Sequence, residues 1–307
     1  MTEHRVYCEL TDLLKLRFQG QKLSLRFDMH KLEKSAGGHL SRLRGRGLEF
    51  SEHRIYQAGD DIRALDWKVT ARRSRPFTKI FHEEIERPII LIIDQGASMF
   101  FGSQFRFKST QAADTAALLL WSALRQNDRV GGFVLGEVPT PFLKPVRQQK
   151  QAIKLLDHLV ENNQALNVNV PESPAAQLPL ALRQAKRIAR PGTLCFILSD
   201  FHRFNEDTRA SLLDLNRHLQ TVAIQIYDPL EKGLPAGRFA ITNGSDRFQL
   251  DLTGSTARPV NQSLTNHIEA IPSQLAKTGT PCIPLSTADD PYEVLSQLAQ
   301  GDRSTHR

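Results

Sequence analysis

The sequence predicts an α/β protein built on a doubly wound, mostly parallel sheet, with a small N-terminal helical and β appendage. Two observations carry that prediction. Three short, almost wholly apolar runs occur at Pro88 to Asp94, Thr193 to Ser199 and Val222 to Tyr227, the pattern of strands buried on both faces. Helical stretches of ten or more residues separate them, and parallel strands joined by helices require right-handed crossovers.

The elements follow in order. Residues 1 to 47 read as helical, with Leu10, Leu13, Leu14 and Leu16 on a short apolar stripe, until Gly37-Gly38 interrupts the pattern. Residues 48 to 87 read as short strands around a turn at Gly59-Asp60. Pro88 to Asp94 is the first central strand. Lys108 to Gln126 is a helix, with Ala112, Ala116, Leu119, Leu120 and Ala123 at helical spacing, and Asn127-Asp128 turns the chain into a strand over Val130 to Leu135. Helices are expected over Gln148 to Asn162, Leu178 to Ala189 and Asn205 to Leu219, with the second and third apolar strands after the last two. Gly244-Ser245 lies between two alternating runs of Gly237 to Leu252, which reads as a β-hairpin. A helix over Arg258 to Thr278, a strand over Cys282 to Leu285 and a helix over Pro291 to Ala299 complete the pattern. The expected organisation is an N-terminal segment with a β module (1–87), an α/β domain (88–299) and a disordered tail (300–307).

Composition bounds the function. The 307 residues suffice for one large α/β domain and an appendage. No run approaches the ~18 apolar residues of a membrane span. Met1-Thr2-Glu3-His4-Arg5 begins no apolar signal-peptide core. Cys8, Cys195 and Cys282 have no metal-ligand spacing and read as reduced thiols, two of them in strands. A cytoplasmic location follows as the expectation. The net charge of +7 is dispersed. Its tightest clusters, Arg72-Arg73-Ser74-Arg75 and Arg42, Arg44 and Arg46, lack the interleaved aromatics of a base-stacking surface. That weighs for an acidic protein surface as partner, or plain solvation, over nucleic acid.

Most of the specific information lies between Arg54 and Arg72. Three Arg (Arg54, Arg63, Arg72), three Asp (Asp60, Asp61, Asp66), Tyr56 and Trp67 surround Gly59. One reading is turn chemistry, with an aspartate capping a short helix over Ile62 to Lys68 and the arginines paired internally. The other is a docking surface for a partner. Tyr56 and Trp67 read as core packing. There is no phosphate-binding Gly-x-x-x-x-Gly-Lys loop and no Gly-x-Ser-x-Gly elbow, and His82-Glu83-Glu84 lacks the second histidine of a zinc helix. The chain is therefore expected not to be an enzyme.

Ligands of doubly wound sheets bind beyond the carboxyl ends of the strands, where strand order reverses. Asp94 and Asp200 each follow an apolar strand and are expected on that edge. Either could instead cap backbone N–H groups of its own loop.

Several stretches carry a family resemblance: Gly47-Leu48-Glu49-Phe50, Arg54, Tyr56, Gly59-Asp60-Asp61, Arg63, Asp66-Trp67, Ala71-Arg72, Lys79, Glu83, the Asp94 loop with Gly102-Ser103, Asp128-Arg129-Val130-Gly131 and Ser199-Asp200-Phe201. Through these, roughly residues 45 to 230 resemble domain-of-unknown-function family 58, whose members carry a von Willebrand factor A-like, Rossmann-like domain. The resemblance implies a metal-ion-dependent adhesion site, Asp-x-Ser-x-Ser with a distant Thr and Asp, because Mg²⁺ takes a near-octahedral shell of hard oxygens. Transferred residue by residue, the ligands are Asp94, Ser98 and Asp200. Gly96 stands at the first Ser, and Ala175-Ala176-Gln177 offers no Thr. Ser199 or Ser103 could supply a hydroxyl in compensation. The site is thus expected to be degenerate and to hold Mg²⁺ weakly or not at all. Without metal, one of the two aspartates should have a raised pKa unless a cation intervenes.

The resemblance also implies a partner, a MoxR-type AAA+ ATPase, and an adaptor role in a chaperone-like complex. A metal-dependent hydrolase using Asp94 and Asp200, nuclease-like or phosphatase-like, is the alternative, although Gly96 denies it an Asp-x-Asp pair. Nucleic-acid binding through Arg72, Arg73 and Arg75 is weaker still. With the strand-end site degenerate, Arg54, Asp60, Asp61, Arg63, Asp66 and Arg72 become the preferred partner-binding residues.

Overall fold

A computed structural model describes residues 5–24, 49–56, 65, 67, 70–71, 75–82, 87–170, 177–242, 247–253 and 257–300, the strands at 49–55 and 77–82 by their backbone. The chain forms two compact units, Leu43–Arg87 and the remainder.

In the smaller unit, strands β1 (Glu49–Ile55) and β2 (Phe77–His82) pair antiparallel, from Glu49 with His82 to Ile55 with Phe77. The Tyr56 N–H continues the ladder by donating to the Pro76 carbonyl, 2.9 Å. The turn expected at Gly59-Asp60 lies outside the described residues. Residues 56 to 76 connect the two strands, and the signature segment, which begins at Arg54 in β1, runs on into this connection.

The larger unit is built on six strands: β3 (Pro88–Asp94), β4 (Arg129–Leu135), β5 (Leu143–Val146), β6 (Leu194–Ser199), β7 (Gln220–Tyr227) and β10 (Cys282–Ser286). Their order is β10-β7-β6-β3-β4-β5, parallel throughout except for β5 at one edge. This is the doubly wound, mostly parallel sheet expected from the sequence. Strand β5 was not anticipated: four residues containing Pro145 show no alternation, and proline is tolerated there because an edge strand leaves one side unpaired. A hairpin of β8 (Arg238–Thr242) and β9 (Arg247–Asp251) stands at the expected place, its Gly244-Ser245 turn lying outside the described residues.

The period-two geometry of strands divides the core into two layers. Ile89, Leu91 and Ile93 of β3 face one layer, with Leu194, Phe196 and Leu198 of β6 and Val222, Ile224 and Ile226 of β7. Helices α3 (Lys108–Arg125), α4 (Gln149–Ala165) and α8 (Pro291–Gln300) supply its other side. Ile90, Ile92, Cys195, Ile197 and Ala223 face the second layer, filled by α5 (Gln177–Ile188), α6 (Glu206–Asn216) and α7 (Ala257–Ala276). Burial on both faces is why these strands read as unbroken apolar runs.

Helix α3 is buried from Lys108 to Ala123. A helix enclosed on every side needs a cover opposite the sheet. The N-terminal segment supplies it with α1 (Leu10–Lys15) and α2 (Arg17–Gly20). Trp121 Nε1 donates to the Leu13 carbonyl and Ser122 Oγ to the Leu23 carbonyl, each at 2.9 Å. Cys8 N–H donates to Asn163 Oδ1 at 2.7 Å, and Leu13 is fully buried. Residues 5–24 therefore belong with the α/β unit and not, as grouped from the sequence, with the β module. The apolar stripe was read correctly, but its docking face could not be assigned from spacing.

Gly132 marks the tightest backbone approach in the sheet. A Cβ there would lie 2.0 Å from the Leu91 carbonyl oxygen, within a ladder that cannot yield. Gly132→Ala is expected to lower stability by about 3 kcal/mol or more. Urea unfolding followed by tryptophan fluorescence measures it, and a loss within experimental error would show that the sheet can open at this point.

Candidate functional site at the carboxyl edge of the sheet

Chain order reverses between β3 and β6: the strands that follow β3 run to one side of it, and β6, β7 and β10 to the other. Asp94 ends β3 and Asp200 follows β6, so the two expected carboxylates do meet at the switch point. Asp94 accepts from the Gly96 N–H at 2.8 Å and from Ser199 Oγ at 2.6 Å. The Ser199 oxygen accepts in turn from the Phe201 N–H at 3.0 Å, and Asp200 accepts from the His202 N–H at 2.9 Å. Both bonds need a sharp bend after β6. Phe201 makes it at φ +53°, a left-handed conformation costing a non-glycine residue roughly 1–2 kcal/mol, and its buried ring holds the bend.

Beside Asp200 stands a residue that the sequence did not single out. Lys108, the first residue of α3, donates from Nζ to Asp200 Oδ2 at 2.8 Å and to Glu231 Oε1 at 2.6 Å. The side chains of Lys108 and Asp200 are only 2% and 4% exposed, and Glu231 is 24% exposed. Glu231 is fixed from its other oxygen, which accepts the Asp228 N–H at 2.8 Å, within a capping box on the 3₁₀ turn Pro229–Lys232. Asp228 is fully buried and accepts from Ser103 N, Ser103 Oγ, Leu230 N and Thr287 Oγ1 at 2.5–3.0 Å. The ends of β3, β6 and β7, the start of α3 and the loop after β10 are thereby stitched together.

The charges divide unequally. Burial alone would disfavour the Lys108 ammonium, and it also sits at the positive end of the α3 dipole. Asp200 and Glu231 outweigh both effects and hold it charged, well above its ordinary range. Against the upward effect of burial, Lys108 holds the Asp200 carboxyl below its ordinary value. Asp94 receives only neutral donors. Burial first, and the neighbouring Asp200 charge second, push it up to about 6. The expected pair of repelling aspartates is present; Lys108 lowers both, but at Asp94, which it does not bond, its effect is smaller than those of burial and of the Asp200 charge.

The side chains here do not fit a Mg²⁺ ion. Mg²⁺ at ~2.0–2.1 Å from an Asp200 oxygen would meet an ammonium already bonded to that carboxylate. Gly96 supplies no oxygen, and Ser98 lies half-buried in the 3₁₀ turn Ala97–Met99. Of the two serines expected to compensate, Ser199 donates its hydroxyl to Asp94 itself and Ser103 donates its own to Asp228. Among the described residues, no group of three or more His, Cys, Asp and Glu is arranged to hold a metal ion.

Two signals in the sequence pointed at this centre. Lys108 opens a helix otherwise apolar on several faces, which is anomalous for a lysine unless it is paired. Asp228-Pro229-Leu230-Glu231 has capping-box spacing directly after an apolar strand. In the signature segment, Arg54 is placed by its backbone in β1, opposite Thr78. Asp60, Asp61, Arg63, Asp66 and Arg72 lie outside the described residues. Trp67 is 68% exposed, contrary to the core role expected for it, and Tyr56 is half-buried.

A family model described as "Protein of unknown function DUF58" matches residues 52–263. The chain belongs to that family. It is 29% identical over 199 residues to the uncharacterized protein Rv1480 of Mycobacterium tuberculosis, a match covering 65% of this chain and 61% of that one. With the uncharacterized protein YeaD of Bacillus subtilis it shares 27% identity over 160 residues, 52% of this chain and 38% of the other. The chain thus spans less than two thirds of the length of these curated relatives. Among solved structures, the conserved hypothetical protein BatB of Bacteroides thetaiotaomicron aligns with a TM-score of 0.43 and 14% identity, over 71% of this chain and 100% of that one. The fold assignment rests on the strand order itself.

Two outcomes test the electrostatics. Lys108→Met leaves Asp200 buried without its cation and should cost about 3–5 kcal/mol, read by denaturant unfolding at pH 7. The raised pKa of Asp94 means that the folded state holds a proton the unfolded state has lost, between the ordinary value of 3.8 and about 6. Its contribution to stability therefore falls as pH rises through that window. Asp94→Asn, which mimics the neutral form, should gain on the wild type by about 1–3 kcal/mol between pH 4.5 and pH 7, the partial solvent access of Asp94 favouring the lower end. A constant difference across that range would contradict the assignment.

Proposed function

We propose that this DUF58 protein is a non-enzymatic interaction protein, an adaptor whose docking surface is the signature segment. The observation that carries the proposal is the 68% exposure of Trp67 within the segment that defines the family resemblance. A tryptophan side chain offers ~150–250 Å² of contact area, and Trp and Arg are enriched among residues that dominate binding energy. Arg54, Asp60, Asp61, Arg63, Asp66 and Arg72 surround it in sequence with both signs of charge, which suits orientation and selection of a partner. The strand-end centre supports the same reading, because its charged groups are engaged with one another in a way that favours holding the fold over turning over a substrate. The hydrolase alternative needs carboxylates free to share metal ions, and Lys108 engages one of the two it would use.

The partner proposed is a MoxR-type AAA+ ATPase, on the family resemblance, in a complex that remodels or matures other proteins. The test is co-purification of the full chain with such an ATPase from the same organism, with and without nucleotide. Trp67→Ala should weaken the association about 30-fold, equivalent to roughly 2 kcal/mol, without lowering the melting temperature. No association in either nucleotide state would count against the ATPase. Unchanged binding by the variant would remove Trp67 from the interface.

A further inference from the structure

We infer that Lys108 is a tethered counter-ion standing where an A-like site would seat a divalent cation, so that the strand-end centre is complete without metal. The inference is independent of the adaptor reading, because it concerns what holds this edge together and not what docks elsewhere.

Three observations carry it. The first is position. One ammonium bridges the carboxylate that follows β6 and the carboxylate of the 3₁₀ turn after β7, at 2.8 Å and 2.6 Å, beside Asp94 at the end of β3. Those are the elements that converge at the switch point, and the ammonium joins them as a shared cation would. The second is enclosure. Lys108 is 2% exposed, although lysine is almost never fully buried unless paired, and it begins a helix whose dipole repels it. The two carboxylates hold a lysine so placed against two opposing effects. Its Nζ also lies 5.9 Å from the centre of the Phe101 ring, a third favourable contact for the cation.

The third observation is the oxygen inventory. Mg²⁺ requires six oxygens with hydroxyls or waters among them. Here position 96 is glycine, and the Ser199 and Ser103 hydroxyls are engaged with Asp94 and Asp228, so with the lysine removed a cation finds few protein oxygens and completes its shell with water, a weak site. An ammonium needs only hydrogen-bond acceptors, and it has them. The exchange carries a consequence for recognition. A metal ion at this edge keeps a coordination position for a partner's carboxylate. A buried ammonium bonded to two internal carboxylates offers none, so metal-bridged capture of an acidic residue does not operate at this edge.

The experiment is a Mn²⁺ titration of the full-length chain, followed by electron paramagnetic resonance and by melting temperature. Wild type should show no binding that depends on Asp94 up to about millimolar Mn²⁺, the range of weak cation sites, and its melting temperature should be unchanged by EDTA. Lys108→Ala vacates the cation's place, and it should acquire Mn²⁺ binding with a dissociation constant of about 10⁻⁴–10⁻³ M, accompanied by a rise in melting temperature. Adding Asp94→Ala to Lys108→Ala should abolish that gain. If Lys108→Ala does not fold alone, recovery of its folded signal on adding Mn²⁺ reads the same acquisition. Saturable Mn²⁺ binding by wild type that Asp94→Ala removes would overturn the inference. So would a Lys108→Ala protein that neither binds Mn²⁺ nor recovers with it, since the lysine would then not occupy a cation's place.

Discussion

A buried ammonium between two carboxylates is the interaction on which the carboxyl edge of this sheet depends. Doubly wound sheets bring strand ends together at one point, and the chain has placed aspartates there that cannot share a dry space uncompensated. Lys108 supplies one positive charge from the first turn of α3, directed to Asp200 and Glu231. Such a pair does little for net stability compared with an apolar replacement, but it tolerates no loss of either partner. It acts as a registration device. Helix α3, strand β6 and the turn after β7 must sit within a few tenths of an ångström of one arrangement for the ammonium to meet both acceptors.

The same helix organises the rest of the larger unit. Its apolar residues fill one core layer, while several of its polar residues are tied off, Ser109 Oγ and Gln111 Oε1 being left without a partner. Asp114 bonds Arg5 and Arg106, Thr110 donates to the Val6 carbonyl, and Gln111 donates to the carbonyls of Ser286 and Asp289. Burial raises the Asp114 pKa in spite of its two arginines. Gln95 and Asn163 extend the network, linking the loop after β3 to α4 and to the backbone of Cys8. A helix this enclosed links the N-terminal segment to the carboxyl edge of the sheet through hydrogen bonds and not only through apolar contact.

Much of the fold was legible in sequence because its signals are local. Apolar runs such as Pro88 to Ile93 report strands buried on both faces, and the Ala and Leu spacing after Lys108 reports a helix. Strand β5 escaped because four residues with a proline carry no periodic signal. At the site, Asp94 and Asp200 were placed correctly because a strand's end is a sequence position. Lys108 and Glu231 were not, because they lie 92 and 31 residues from Asp200 and join it only through packing, Lys108 directly and Glu231 through Lys108.

By itself the sequence determined the class of fold, the order of most strands and helices, and that position 96 offers no side-chain oxygen, since Gly96 has none in any conformation. The tertiary structure alone decided that a lysine lies beside the two aspartates, that one of them keeps an ordinary charge while the other rises, and that the N-terminal helices cover α3. It also decided that Trp67 faces solvent. The physical reason is common to all four. Residue type and spacing set what a group is able to do, whereas burial and the nearest charge set what it does, and both belong to neighbours distant in the chain.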